Sequence, residues 1–207
     1  MLTNLSIKEF LAETAGNAPV PGGGSISALN GAVATALAQM VANLTIGKKK
    51  YAEYEEEMKC LASHFEQIRG ELLEDVDRDS DAYNRVFAAF KLPKETDEEK
   101  AVRHATIQRE TMYAAEVPMN VARKVCAVLP FLVQVAHKGN QNAITDACVA
   151  VMCARTAILG ALMNVRINLS SIEDKAFTEK MEGEAKLLEN KAIETEQQIL
   201  NHLKDCL

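Results

Sequence analysis

The segment Pro19-Val20-Pro21-Gly22-Gly23-Gly24-Ser25 stands directly before a run of small and apolar residues, Ile26 to Ile46, and constrains the fold more than any other stretch. Prolines and consecutive glycines are costly to order, so a chain that keeps them beside a long helix needs that backbone shape. Ala28, Gly31, Ala32, Thr35, Ala36 and Ala38 make the following helix thin on several faces. Neighbouring backbones can then approach closely, which describes the core helix of a bundle. Ser25 reads as the N-cap, and the first turn after it offers free N–H groups at the positive end of the helix dipole. Such a loop can hold an anion, a carbonyl or an oxyanion, or serve only as a tight turn that positions two helices.

The rest of the chain agrees with a helical core. At 207 residues and 48% hydrophobic content it is long enough for one sizeable core, and residues 1–207 read as a single domain. Aromatic residues make up only 5%, with no Trp, which suits helix-on-helix packing better than a sheet sandwich. A net charge of -6 argues against a nucleic-acid partner, which would need a basic stripe. Cys60, Cys126, Cys148, Cys153 and Cys206 form no CxxC pair and read as reduced thiols of a cytoplasmic protein. MLTNLSIKEF shows no signal-peptide pattern. Ile26 to Ile46 is long enough to span a membrane, but Asn30, Gln39, Asn43 and the lysine exit favour a buried helix, so no membrane partner is expected.

Punctuation along the chain gives about six helices and an all-α bundle. Ser6 and Glu9 form a capping box for a helix over residues 6–15, and Thr96 and Glu99 form another. The core helix runs over 25–46. A third, over 52–90, carries Leu61, Phe65, Ile68, Leu72, Val76, Tyr83 and Phe87 at three- and four-residue steps. Pro118 and Pro130 are expected to kink or break the fourth. Lys138-Gly139-Asn140 is a turn before a helix over 142–167, and Ser170 with Glu173 is expected to cap the last. The long helices carry more apolar stripe than a monomer readily buries, so a homodimer is expected.

The candidates for chemistry are few. His64, His104, His137 and His202 are scattered, with no metal-ligand spacing, so no metal is expected. His137 reads as a solvated helix-end histidine. The glycine loop lacks the GK[ST] of a nucleotide cradle. Asp146 sits in the first turn of its helix, where the dipole keeps a carboxylate ionised and able to serve as a base, or merely as a cap. Asp81 lies among Asp75, Asp77 and Asp79 beside Tyr83 and Asn84, either as a ligand group or as part of a solvated acidic face. Lys48-Lys49-Lys50 can complement a helix end or seat an anionic tail.

The segments PVPGGGSISALNGAVATALAQMVANLTIGKKKY, DSDAYNRVFAAF, AAEVPMNVA, HKGNQNAITDACVA and NVRINLSSIED resemble, in order and over nearly the whole chain, the formiminotetrahydrofolate cyclodeaminase and methenyltetrahydrofolate cyclohydrolase family. The resemblance implies a dimerising helical bundle with a folate site at or near the subunit contact, and no metal or redox cofactor. It is to the stand-alone bacterial form, without the formiminotransferase domain of the animal proteins.

Tetrahydrofolate presents a pterin edge of N–H and NH2 donors, reactive N5 and N10 atoms, and a tail of one or more glutamates. Under this resemblance Asp146 is assigned to acid/base work and Asp81 to pterin binding or the second proton transfer, with the roles exchangeable. Pro21, the Gly22-Gly23-Gly24-Ser25 backbone and Asn140 orient the reacting centre, and Lys48, Lys49 and Lys50 receive the tail. The animal domain sharing these motifs tips the expectation toward the cyclodeaminase, with the cyclohydrolase as the alternative. A helical adaptor that keeps only the fold is the non-enzymatic alternative.

Overall fold

The structure is a computed structural model that describes residues 1–206, with side chains through Lys204. The Cys206 side chain lies outside the described residues. Six α-helices and no strand occur among them: α1 (Ile7–Thr14), α2 (Gly23–Thr45), α3 (Glu55–Phe90), α4 (Asp97–Lys138), α5 (Ile144–Leu169) and α6 (Lys175–Cys206). The all-α expectation holds.

Both expected capping boxes form, Ser6 with Glu9 on α1 and Thr96 with Glu99 on α4. Three local expectations are corrected. α2 starts at Gly23 with Gly22 as its N-cap, because the Ser25 hydroxyl turns inward and donates to Val76 O at 2.8 Å. α4 runs unbroken through Pro118 and Pro130. A proline removes one N–H from the ladder, and the carbonyl orphaned by Pro118, that of Ala114, accepts instead from Asn168 Nδ2 at 3.0 Å. The last helix is capped by Asp174, whose Oδ1 accepts from Phe177 N–H at 3.0 Å. Ser170 bonds back to Ile167 O, and Glu173 pairs with His104.

α2 is the core helix, packed most extensively against α3 and α5. Ala28, Ala34, Ala38 and Ala42 are fully buried. A Cβ on Gly31 would come within 2.7 Å of Val125 Cγ2, so the small residues are what let α4 approach. α2 and α5 run antiparallel: Gly23 lies beside Asn164, Gly160 beside Ser27, and Asn140 N–H donates to Thr45 Oγ1 at 2.8 Å. The glycine loop is therefore at one end of the bundle and the Asn140 turn at the other.

The outward faces of α2 and α5 stay apolar. Val33, Met40 and Leu44 on α2, and Val149, Met152 and Met163 on α5, are between 37% and 66% exposed. By length and composition three segments could cross a membrane, Gly23–Thr45, Asp97–Lys138 and Gln141–Leu169, rather than the single one noted from the sequence. About half of each apolar window is buried inside the bundle.

Among the thiols, Cys126 and Cys148 are buried, Cys153 is half-buried and Cys60 is exposed. Burial pushes the Cys126 and Cys153 thiols up, away from the reactive thiolate.

Candidate active site

Gly23 and Gly24 are the first two residues of α2, and each is pressed against one polar side chain. A Cβ on Gly23 would meet Asn164 Nδ2 at 3.1 Å, and a Cβ on Gly24 would overlap the Asp79 carboxylate. The helix thus enters between α5 and α3 with bare backbone on both sides. Pro19, Val20 and the three glycines, with Asp79, Tyr83, Asn164 and Asn168, enclose a cavity of about 280 Å³. The N–H groups of Gly23 and Gly24 have no preceding turn to bond to and lie at the positive end of α2.

Asp79 is the acid/base candidate of this cavity. Its Oδ2 lies 3.1 Å from Ser25 Oγ, whose one proton it shares with Val76 O, and the Ser25 N–H also bonds the carboxylate. Ser25 is itself fully buried, held by Val76 O and by Ser80 Oγ at 3.1 Å. The two buried carboxylates nearby are paired with cations: Asp75 with Lys124 and Arg78, and Glu110 with Arg85 and Arg109. Asp79 has no such ion pair among the described residues. Burial raises its pKa above the usual carboxylate range, and the Ser25 hydrogen bonds pull it back part of the way. A carboxyl group so placed holds its proton more readily than an exposed one, which suits proton transfer.

The residues named from the sequence divide between three places. Gly22, Gly23 and Gly24 line the cavity, and Ser25 holds Asp79 from behind. Pro21 and Asp81 face a shallower neighbouring groove, together with Leu2, Asp77 and Asn84, and Asp81 is exposed. Asp146, Asn140 and Lys48–Lys50 gather at the opposite end of the bundle. Between Asp146 and Asn164, α5 rises about 27 Å at ~1.5 Å per residue, so one chain does not bring Asp146 to the glycines. Asn140 is used structurally there: Oδ1 caps the turn through Asn142 N–H, and Nδ2 donates to Leu44 O. Lys48, Lys49 and Lys50 are exposed, with Lys50 Nζ over the Tyr51 ring. His137 Nδ1 bonds Val133 O, and its ring stacks on His202. No group of three or more His, Cys, Asp or Glu side chains is arranged to hold a metal among the described residues.

Asp79 was the residue that sequence reasoning passed over. Its signal is its register: Leu72 and Val76 are buried on α3, and Asp79 follows Val76 by three residues on the same side of the helix.

A family model described as formiminotransferase-cyclodeaminase matches residues 6–187, which include the glycine loop, Asp79, Asn164 and Asn168. The chain belongs to the formiminotransferase-cyclodeaminase family. Within the family it is 43% identical over 180 residues to a methenyltetrahydrofolate cyclohydrolase of Methylorubrum extorquens, covering 87% of this chain and 86% of that one. It is 35% identical over 179 residues to the formimidoyltransferase-cyclodeaminase of Mus musculus, covering 86% of this chain but only 33% of the mouse protein. Among solved structures it matches a formiminotetrahydrofolate cyclodeaminase from Thermotoga maritima with a TM-score of 0.89 and 32% identity, over 99% of this chain and 98% of that chain. The family assignment agrees with the resemblance carried by the glycine loop and the four later segments.

Proposed function

We propose that this chain is a folate one-carbon enzyme that works on the N5/N10 bridge of tetrahydrofolate, with Asp79 as its proton-transfer group. The observation that carries the reading is a half-buried carboxylate with no ion pair among the described residues, pressed against Gly24 and lining one cavity with the glycine backbone. Small-molecule pockets run to roughly 300–1,000 Å³. A cavity of about 280 Å³ takes the bicyclic pterin and the bridge but leaves the benzoylglutamate outside.

In the hydrolytic direction, ionised Asp79 takes a proton from water as its oxygen attacks the methenyl carbon. The same proton then passes to N5 as the carbon–N5 bond breaks, and the proton of the added hydroxyl is released to solvent as its oxygen becomes the formyl carbonyl of 10-formyltetrahydrofolate. The Gly23 and Gly24 N–H groups face the oxygen that becomes the formyl group. The similarity to the Methylorubrum cyclohydrolase, which spans most of both chains, favours this direction. In the cyclodeaminase reading, favoured by the whole-chain match to the Thermotoga structure, N10 attacks the formimino carbon. Its proton goes through Asp79 to the nitrogen of the protonated formimino group, which leaves as ammonia and gives the 5,10-methenyl cation. No metal or redox cofactor takes part in either scheme.

One paired assay separates them. Loss of methenyl absorbance from 5,10-methenyltetrahydrofolate without ammonia chemistry identifies the cyclohydrolase, and methenyl gain with ammonia release from 5-formiminotetrahydrofolate identifies the cyclodeaminase. Silence in both, with no folate bound, leaves the adaptor.

The working unit in this proposal is a water-soluble cytoplasmic homodimer closed over the apolar faces of α2 and α5. With the twofold axis lying across the helices, the Asp146, Asn140 and Lys48–Lys50 end of one subunit meets the glycine cavity of its partner. Those residues then serve the tail and the far side of the bridge. Light scattering is expected to give twice the 22.6 kDa chain mass. The mass of a single chain would remove the shared site.

A further inference from the structure

Asn164 and Asn168 lie one helical turn apart on α5 and line the glycine cavity on the wall away from Asp79. Their donor ends are held by main-chain carbonyls, through both N–H groups of Asn168 and one of the two of Asn164. Asn164 Nδ2 donates to Gly160 O at 2.8 Å, and Asn168 Nδ2 donates to Asn164 O at 2.9 Å and to Ala114 O at 3.0 Å. Only the NH2 end of an amide can donate to a carbonyl, so these bonds fix which way each amide points. No donor among the described residues reaches either Oδ1, and neither oxygen is sealed from solvent. Two acceptors at neighbouring i, i+4 positions are thus left without protein partners in the cavity wall.

The third of these bonds has a cause elsewhere in the chain. Ala114 O would ordinarily accept from the N–H four residues on, and that residue is Pro118, which has none. The proline therefore creates the acceptor that anchors the Asn168 amide. Pro118 is buried in an unbroken helix, so its effect is this one vacancy in the ladder.

We propose that Asn164 and Asn168 form an acceptor pair that reads the N–H and NH2 donor edge of the pterin ring, with Pro118 as the positioning residue that sets the Asn168 amide. This rests on the folate reading above. It separates two tasks that the sequence left exchangeable among carboxylates. Neutral amides hold the ring at any pH, and Asp79 is left to move protons.

The test measures binding of 5-formyltetrahydrofolate, and of its analogue lacking the 2-amino group, by calorimetry. Asn164→Leu is one variant. The other is the double variant Pro118→Ala/Asn168→Leu, in which the restored N–H at residue 118 satisfies Ala114 O, so the amide is removed without orphaning that carbonyl. Each is expected to weaken the parent ligand about tenfold, the worth of one lost hydrogen bond of ~1.4 kcal/mol; the variant that removes the acceptor of the 2-amino group leaves the 2-desamino analogue nearly unchanged, and the one that removes the acceptor of the ring N–H weakens both ligands. Equal losses for both ligands in both variants, or none for either, overturn the proposal while wild-type binding keeps the folate reading intact. Absence of folate binding by the wild type overturns the folate reading and this inference with it. Pro118→Ala alone is expected to raise KM a few-fold at unchanged kcat and unchanged pH profile. A fall in kcat with KM unmoved would contradict the positioning role.

Discussion

Asp79→Asn is expected to fold, to bind folate and to lose about a hundredfold or more in turnover, the usual cost of removing a proton-transfer group. The amide keeps an oxygen to accept from Ser25, so the hydrogen bond that ties α2 to α3 survives. The pH dependence has a defined sign. A carboxyl group whose folded pKa is raised contributes stability that is fully present below its unfolded value and is lost as pH rises through the folded one. At neutral pH ionised Asp79 is therefore a burden on the fold. The Asn variant should melt no lower than the parent there while being nearly inactive. In the parent, kcat/KM for methenyl hydrolysis should rise with pH through a value above the usual carboxylate range, and Asp79→Asn should lose that limb. A variant with parental turnover would move the acid/base role away from this cavity. Asp81→Asn is the natural control, because Asp81 faces the exposed groove outside it.

The second large effect is expected from Gly24→Ala. Its added methyl overlaps the Asp79 carboxylate, so either the side chain or the start of α2 has to shift. Overpacking of this kind costs about 1–3 kcal/mol of stability. The catalytic loss should be larger than that cost implies, because a carboxylate displaced by even one ångström no longer meets the reacting atom. Urea unfolding and turnover, measured on the same preparation, give the two quantities separately. Gly70→Ala supplies the comparison, since a Cβ there meets nothing within 4 Å and exchanges a glycine for a better helix former. Equal turnover in the two alanine variants would show that the close approach of Gly24 to Asp79 is not needed for catalysis.

These two residues also show where sequence reasoning stops. Capping boxes at Ser6 and Thr96, the small-residue helix and the apolar stripe of α3 are local signals, and they gave the helices and most of their ends. The start of α2 moved to Gly23 because Ser25 has a better use, bonding Val76 O across the helix pair. Helix α4 survived Pro118 because a side chain from α5 replaced the missing donor, which no local rule reveals. The site followed the same division. The glycines were legible because their cost had to be repaid by a close approach. Asp81 and Asp79 are two residues apart on a helix and so point to different surroundings; the register after Val76 favours Asp79, and the packing of α2 against α3 sets it beside Gly24. Asp146 carried a sound local argument, but the antiparallel course of α2 and α5 places it at the far end of the bundle. Asn164 and Asn168 lay within a motif that carried the family resemblance and gave no chemical signal of their own.

The most direct measurement is a crystal structure of the protein with 5-formyltetrahydrofolate bound. The N5/N10 bridge is expected within hydrogen-bond distance of the Asp79 carboxylate, the pterin against Asn164 and Asn168, and the glutamate running toward the Asp146 end of a partner subunit. A ligand seated at Asn140 and Lys48–Lys50 with its bridge at Asp146 of the same chain, and nothing at the glycines, would contradict that placement.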